Sequence, residues 1–82
     1  MAEDWRQYIH SDPSVLLGKP VVKGTRLSID FILGLYAAGW TEEQVLASYP
    51  TLTPEALRAV FAFAVECVRE EGLYSLPTAA VV

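Results

Sequence analysis

The apolar positions of residues 29–71 recur with helical spacing and predict three helices. Four apolar residues of the first helix share one face at i, i+3, i+4 and i+7: Ile29, Ile32, Leu33 and Tyr36. Ser28 is its expected N-cap, and Gly39 is expected to end it in a left-handed conformation. Trp40 is then expected to fold back onto Leu35, which is the contact of a Schellman ending.

The second helix is short, from about Glu42 to Ser48. The run Thr41-Glu42-Glu43-Gln44 has the pattern of a capping box, and Trp40 and Val45 have the spacing of a hydrophobic staple. Three apolar residues are expected to face inward: Val45, Leu46 and Tyr49. Pro50 ends this helix because proline lacks the backbone donor.

The third helix is predicted from Pro54 to about Glu71, with Thr53 as its N-cap. One apolar stripe is expected to face the core: Leu57, Val60, Phe61, Ala64 and Val68. Other apolar residues lie off that stripe: Ala56, Ala59, Phe63 and Cys67. A helix with two apolar faces is buried on two sides, so we expect a second copy of the chain to cover it in a homodimer. Phe63 and Cys67 are the expected partner-binding residues.

The residues before the helices predict a small β element. Tyr8-Ile9 and Val21-Val22 are expected to form short strands, and Lys23-Gly24-Thr25 has turn chemistry. Arg26-Leu27 is expected to return as the second arm of a hairpin. The expected fold class is therefore mainly α, with a short N-terminal β element.

The domain division follows from these patterns. Residues 1–7 are expected to be a flexible N-terminus, residues 8–71 the folded domain and residues 72–82 a C-terminal tail. Two interpretations of the tail stay open. It is either a frayed end or a docking tail that Tyr74 and Leu76 anchor on a partner.

Charge is distributed unevenly along the 82 residues. The formal net charge is -4, so the molecule as a whole does not match a phosphate backbone. Three of the six basic residues nevertheless lie between Gly18 and Arg26. Lys19, Lys23 and Arg26 are either a DNA-contacting rim, together with Thr25, or a hairpin edge protected by charge against aggregation.

Several classes of function are not expected. The N-terminus lacks the pattern of a signal peptide, and the longest apolar run is too short to cross a membrane, so we expect a cytoplasmic protein. His10 and Asp12 have no second pair of ligand-type residues, and we expect no metal or cofactor. Cys67 lies in an apolar run, and no nucleophile setting is recognisable, so no catalytic residue is proposed and the chain is not expected to be an enzyme.

The order of helix, tight corner, short helix, turn and longer helix is that of a three-helix helix-turn-helix domain. In such a domain the helix after the turn presents its first residues to DNA bases. Thr53 and Arg58 occupy those positions here. Since only Arg58 is basic, the hairpin residues are the preferred candidates for DNA contact.

One longer pattern resembles a known family. It consists of Gly18-Lys19-Pro20-Val21-Val22-Lys23-Gly24-Thr25-Arg26-Leu27-Ser28, followed by Gly39, Thr41, Glu43, Tyr49-Pro50, Leu52-Thr53 and Glu55. This pattern, over roughly Ile9 to Val68, resembles the domain-of-unknown-function family 433, a group of small prokaryotic antitoxin-like proteins. The resemblance implies a homeodomain-like or winged-helix-like fold and the role of antitoxin in a type II toxin–antitoxin pair. It further implies a PIN-like ribonuclease toxin as partner and contact with operator DNA.

Three functional hypotheses follow from the sequence. The first is a dimeric antitoxin that neutralises the toxin nuclease. The second is a stand-alone DNA-binding transcriptional regulator, whose affinity would depend on the three hairpin cations. The third is a purely structural dimerisation module, in which the Gly-Thr-Arg segment only orders the hairpin.

Overall fold

The computed structural model describes residues 4–71, which form three helices and a two-stranded antiparallel sheet. The elements are a 3-10 turn at Trp5–Gln7, strands β1 (Ile9–Ser11) and β2 (Pro20–Val22), and helices α1 (Ile29–Ala37), α2 (Glu42–Ser48) and α3 (Pro54–Glu71). The predicted class is confirmed: the fold is mainly α, in helix-turn-helix order, with a short N-terminal β element. No helix within residues 4–71 is long and apolar enough to span a bilayer.

Both ends of α1 have the predicted local chemistry. The Ser28 hydroxyl accepts a hydrogen bond from the Phe31 amide at 3.2 Å and so caps the first turn. At the other end Gly39 has a φ of +99°, and the Trp40 amide donates to the Leu35 carbonyl at 3.0 Å. This is the Schellman ending expected from the sequence.

The starts of α2 and α3 are also as predicted. In the capping box of α2 the Gln44 amide donates to the Thr41 hydroxyl, while the Gln44 side chain accepts from the Thr41 amide at 2.8 Å. At α3 the Thr53 hydroxyl accepts from the Ala56 amide at 3.1 Å. These caps satisfy amides that no helical carbonyl can reach, so both helix starts are determined locally.

The pairing of the sheet corrects the predicted hairpin. β2 pairs with β1 in a register that sets Ile9 opposite Val22, while the predicted arm at Arg26-Leu27 contributes only the Leu27 carbonyl, which accepts a hydrogen bond from the Val22 amide at 3.1 Å. The returning chain makes only one antiparallel bridge, between Val21 and Ser28. The physical reason is that the turn is tight and the chain enters α1 directly afterwards, so no length is left for a second strand.

The core lies between the sheet, α1, α2 and the first half of α3. Its five largest fully buried side chains come from all of these elements: Val21, Ile32, Val45, Leu57 and Val60. Leu52, in the turn before α3, is also buried and packs with this cluster. Leu52 and Leu57, which have the spacing of a hydrophobic staple around the Thr53 cap, therefore both lie in the core.

The apolar faces of α3 differ from the predicted stripe. Phe61 and Val68, which were assigned to the core, are each 41% exposed, and Val65 is 47% exposed. Phe63 is instead half-buried and lies edge-on to Trp5, with ring centroids 4.7 Å apart. The 3-10 turn at Trp5–Gln7 covers Phe63, whereas Phe61 contacts only the edge of the Tyr36 ring, with centroids 5.0 Å apart, and stays 41% exposed.

The N-terminal turn thus belongs to the folded unit. The Asp4 side chain accepts a hydrogen bond from the Arg6 amide at 3.0 Å, and the Arg6 guanidinium lies 3.7 Å from the Glu66 carboxylate on α3. Trp5–Gln7 therefore form a defined turn, and the flexibility expected of residues 1–7 stays a prediction. The expected tail, with Tyr74 and Leu76, lies outside the described residues.

Candidate nucleic-acid and protein interfaces

The three cations of residues 18–26, which we call the basic segment, do not have equivalent surroundings. The Lys19 ammonium lies 3.4 Å from the Asp30 carboxylate, in an exposed ion pair. Lys23 and Arg26 are exposed, and neither forms an ion pair with any residue between 4 and 71. Of the predicted DNA-contacting cations in this segment, these two retain uncompensated charge.

Thr25 stabilises the turn that carries these cations. Its hydroxyl donates to the Val22 carbonyl at 2.8 Å and accepts from the Leu27 amide at 3.0 Å. Both bonds close the turn locally, in the way that hydroxyl side chains commonly do. The side chain of Thr25 therefore positions Lys23 and Arg26, and its two bonds hold it within the protein.

The residues at the start of α3 are likewise engaged within the chain. The Thr53 hydroxyl is the N-cap, and the Arg58 guanidinium lies 3.8 Å from the Glu55 carboxylate one turn earlier. This ion pair is exposed and therefore weak, but it places a negative charge beside the only basic residue at the predicted groove-reading position. The helix after the turn offers little net positive charge to DNA.

Asp30 links the basic segment to α1. A hydrogen bond from the Ser28 side chain, and secondarily the Lys19 ammonium, lower the pKa of this carboxyl below its usual range. The carboxylate also lies in the first turn of α1, where the helix dipole favours a negative charge. Asp30 is therefore ionised at neutral pH and offsets the charge of Lys19.

A left-handed turn, which the sequence pattern does not predict, leads into the basic segment. Leu16, Leu17 and Gly18 have φ values of +50°, +57° and +84°. Leu17 is 97% exposed, although it is a large apolar residue in a conformation that leucine rarely adopts. Gly18 is the only local signal of this turn, because nothing in a pair of leucines favours left-handed backbone.

This turn and the start of α1 enclose an open cleft of about 640 Å³, which we call the turn cleft. Eight residues line it: Leu16, Leu17, Lys19, Arg26, Leu27, Ser28, Asp30 and Phe31. Lys19 and Arg26 are thus brought to the same cleft, whereas Lys23 is not part of it. The lining combines exposed apolar side chains with one unpaired cation, Arg26.

A second surface lies on the outer side of α3. Phe61, Val65 and Val68 form an exposed apolar strip, which we call the α3 face, and with Ala64 and Arg69 they line a shallow depression. The predicted partner-binding residues Phe63 and Cys67 are half-buried beside it. They line a groove of about 370 Å³ between α3, α1 and β2, which also contains Ala64 and Val68. The two depressions are therefore adjacent.

Within residues 4–71 no three His, Cys, Asp or Glu side chains come together in a cluster that could hold a metal ion. Asp12, considered above with His10, instead makes a local turn: its carboxylate accepts from the Ser14 amide at 2.9 Å and from the Ser14 hydroxyl at 2.8 Å. These hydrogen bonds lower the pKa of Asp12. Asp12 therefore acts as a turn residue, whose side chain bonds the backbone two residues further on.

Comparison with known proteins identifies the family. The family model described as "Protein of unknown function (DUF433)" matches residues 9–64. The chain belongs to this family. It is also 36% identical over 59 residues to "Uncharacterized protein y4eO" of Sinorhizobium fredii (strain NBRC 101917 / NGR234), an alignment that spans 72% of this chain and 27% of that protein. The chain thus spans about a quarter of the length of this curated relative. No solved structure matches the chain.

The matched range contains the turn cleft and the basic segment completely. It also contains Phe61 and Phe63 but ends before Val65 and Val68. Trp5, which covers Phe63, lies before its start. The family pattern therefore describes the sheet, α1, α2 and the first half of α3, and it leaves out the contact that orients the second half of α3.

Proposed function

We propose that this protein is the antitoxin of a type II toxin–antitoxin pair, which acts as a homodimer, neutralises a PIN-like ribonuclease and contacts operator DNA. The observation that carries the proposal is the presence of two apolar surfaces on one small domain, the turn cleft and the α3 face. An adaptor that binds a copy of itself and a second protein needs two such surfaces. The family resemblance supplies the nature of the second protein.

The α3 face is suited to a homodimer. Its three exposed apolar residues lie along one side of a single helix, and this strip is the kind of surface that packs against a symmetry-related helix. Ala64 lies between them, and a small residue at that position lets two helix backbones approach closely. The polar residues nearby, such as Arg69, would form the rim of such an interface.

DNA contact is supported by the unpaired cations at the turn between β2 and α1. A dimer presents Lys23 and Arg26 twice, so four uncompensated positive charges are available to phosphates despite the negative net charge. Arg58 contributes less because Glu55 lies beside it. We therefore assign DNA contact to this turn in preference to the start of α3.

A stand-alone DNA-binding regulator is the second candidate, and the same unpaired Lys23 and Arg26 favour it. The two candidates differ in the need for a toxin. A regulator binds its operator without a partner, whereas an antitoxin must also suppress an RNA-cleaving protein. A purely structural dimerisation module predicts neither property.

The test uses the protein and the product of the adjacent reading frame. Both are purified, mixed and analysed by size-exclusion chromatography, and RNA cleavage by the neighbour is measured with and without the protein. The expected result is a stable complex and loss of RNA cleavage. Absence of both a complex and suppression would overturn the antitoxin proposal.

DNA binding is tested separately by titrating duplex DNA from upstream of the gene at several salt concentrations. Neutralising Lys19, Lys23 and Arg26 to Gln is expected to reduce the salt dependence of the affinity, because fewer counterions are released. Arg58→Gln is the comparison variant and is expected to have the smaller effect. If Arg58→Gln weakens binding more than the triple variant, α3 is the DNA-reading element and the assignment to the turn is wrong.

A further inference from the structure

The turn cleft has no role in dimerisation through the α3 face, and its composition is unusual for solvent-exposed surface. Leu16, Leu17 and Phe31 are all exposed large apolar residues, and they surround one concavity. The other exposed large apolar residues among those described all belong to the α3 face. Exposed apolar side chains grouped in this way mark an interaction surface.

The backbone presents Leu17 outward at an energetic cost. Two consecutive leucines in left-handed conformation are both disfavoured, because this conformation brings each Cβ close to the following carbonyl oxygen. The side chain of Leu17 recovers little burial within the chain, since it is 97% exposed. A small ligand inside the cleft would leave a side chain so exposed largely uncovered, so the fitting partner is a macromolecule that extends beyond the cleft.

The charges of the cleft define the chemistry of that partner. Lys19 and Asp30 lie 3.4 Å apart and offset each other, and Ser28 is occupied by the helix cap and Asp30. Arg26 is left as the charged side chain of the cleft that forms no ion pair with any residue between 4 and 71. A guanidinium beside an apolar concavity is complementary to a carboxylate next to apolar side chains.

We infer that the turn cleft docks a segment of a partner protein that carries apolar side chains beside a carboxylate. This inference rests on the proposed function in one respect, since the partner is then the toxin nuclease. Leu17 enters a depression of the partner, an apolar side chain of the partner enters the cleft, and Arg26 pairs with the carboxylate. In the complex with the partner only Lys23, outside the cleft, is available to DNA, whereas without the partner both Lys23 and Arg26 can contact it.

DNA fits this cleft less well than a protein segment does. Interfaces with DNA are more polar and more positively charged than protein interfaces, whereas the cleft walls are mostly apolar and include the Asp30 carboxylate. Both alternatives, DNA and a second copy of the chain, are outcomes of the test.

The first experiment uses two blocked synthetic peptides with uniformly ¹⁵N-labelled protein. One peptide contains Leu, Phe and Glu, and the other has every Glu replaced by Gln. The Glu peptide is expected to shift the amide resonances of Leu16, Leu17 and Phe31, and to bind about fivefold more tightly than the Gln peptide. Short duplex DNA is titrated in parallel.

Two pairs of variants identify the contacts. Arg26→Gln is expected to abolish the preference for the Glu peptide, whereas Lys23→Gln, which changes an equally exposed cation outside the cleft, preserves it. Leu17→Asn is expected to weaken both peptides about tenfold, because it removes the apolar side chain while asparagine tolerates the left-handed backbone. Ala47→Asn, on the exposed side of α2 and outside both surfaces, is its control and is expected to leave the affinities unchanged.

Four results would overturn the inference: no peptide binding, equal binding of the Glu and Gln peptides, resonance shifts confined to α3, or shifts of the cleft amides by DNA alone. Sedimentation of Leu17→Asn tests whether a second copy of the chain occupies the cleft, because loss of the dimer in this variant would assign the cleft to self-association. Retention of the dimer agrees with a separate partner site.

The toxin assay separates this inference from the proposed function. If the wild type suppresses RNA cleavage and Leu17→Asn and Arg26→Gln suppress it equally well, the docking site is wrong and the antitoxin proposal stands. If the wild type itself does not suppress cleavage, the antitoxin proposal fails. The peptide measurements then still decide whether the cleft binds an acidic apolar segment. Loss of suppression in the two variants, with Lys23→Gln active, is the expected result.

Discussion

Trp5 lies edge-on against Phe63, with ring centroids 4.7 Å apart and an angle of 79° between the ring planes. The contact joins the N-terminal turn to the middle of α3 across most of the chain. It decides which side of α3 is covered, because the side that carries Phe63 turns toward Trp5 and the α3 face turns away. The aromatic pair therefore contributes both to stability and to the exposure of the proposed dimer surface.

Replacing either aromatic should destabilise the fold. Trp5→Leu and Phe63→Leu are each expected to lower the free energy of unfolding by about 1–3 kcal/mol, and a double-mutant cycle should give a coupling of about 0.5–1.5 kcal/mol. Urea denaturation followed by circular dichroism measures all four proteins. Gln7→Ala, in the same turn, is the control and should change stability little. Additive effects of the two leucine substitutions would show that the ring contact contributes nothing of its own.

The helix caps were predictable from the sequence, but the side of α3 that packs against the rest of the protein was not. Caps such as Ser28, Thr41 and Thr53 depend on neighbours within three residues, so their pattern is legible in the sequence. The orientation of α3 instead depends on Trp5, which is distant in sequence. Because α3 is apolar on two sides, periodicity alone could not distinguish Phe61 from Phe63.

The candidate site was predictable in its charges and not in its shape. Lys19, Lys23 and Arg26 are evident as a cluster in the sequence, but only the structure shows that Asp30 offsets one of them. The cleft itself depends on the left-handed turn at Leu16–Gly18, and no sequence pattern of leucines predicts such a turn. The pairing of β2 with β1 was not predicted either. β1 lies before that turn, whereas Arg26-Leu27 follow β2 directly and are therefore a strand partner closer in sequence.

Gly34 in α1 and Gly39, just after its C-terminal end, should respond to alanine in opposite directions. Gly34 is exposed in the middle of the helix with open space around an added Cβ, so Gly34→Ala should raise the unfolding free energy by about 0.5–1 kcal/mol. Gly39 has a φ of +99°, so Gly39→Ala should lower it by about 1 kcal/mol despite equally open space. Thermal and urea unfolding test both. The same sign for both substitutions would contradict the Schellman ending.

The left-handed turn predicts an unusual response at Leu17. Leu17→Asn should leave stability unchanged or raise it by up to about 1 kcal/mol, because asparagine adopts this conformation more readily and little burial is lost. Leu17→Val is the opposing control and should lower stability by about 1 kcal/mol, since a β-branched side chain fits a positive φ poorly. Unfolding in urea measures both variants. Equal destabilisation by the two would show that Leu17 is not left-handed in solution.

Asp30 should make the fold sensitive to acid. Because its folded-state pKa is lowered, its stabilising effect is fully present above the unfolded carboxyl pKa of about 3.9 and is lost as the pH falls through the folded value. Asp30→Asn should therefore be less stable than the wild type at neutral pH and should approach it in acid. An NMR titration of the side-chain carboxyl gives the pKa directly. Ser28→Ala should raise that pKa more than Lys19→Gln does, because the hydrogen bond from Ser28 is its largest cause; the reverse order would contradict this assignment.

A charge on the α3 face should dissociate the proposed dimer. Val65 lies between Phe61 and Val68 along the strip and is 47% exposed, so Val65→Lys leaves the core intact but places two ammonium groups close together across a symmetric interface. The dimer dissociation constant is expected to rise at least about a hundredfold, corresponding to about 2.7 kcal/mol. Sedimentation velocity over a concentration series measures it, with circular dichroism as the check on folding.

Ala47→Lys, on the exposed side of α2, is the matched control and should remain a dimer. A Val65→Lys protein that stays dimeric would place the interface elsewhere, and a monomeric wild type would remove the homodimer from the proposal.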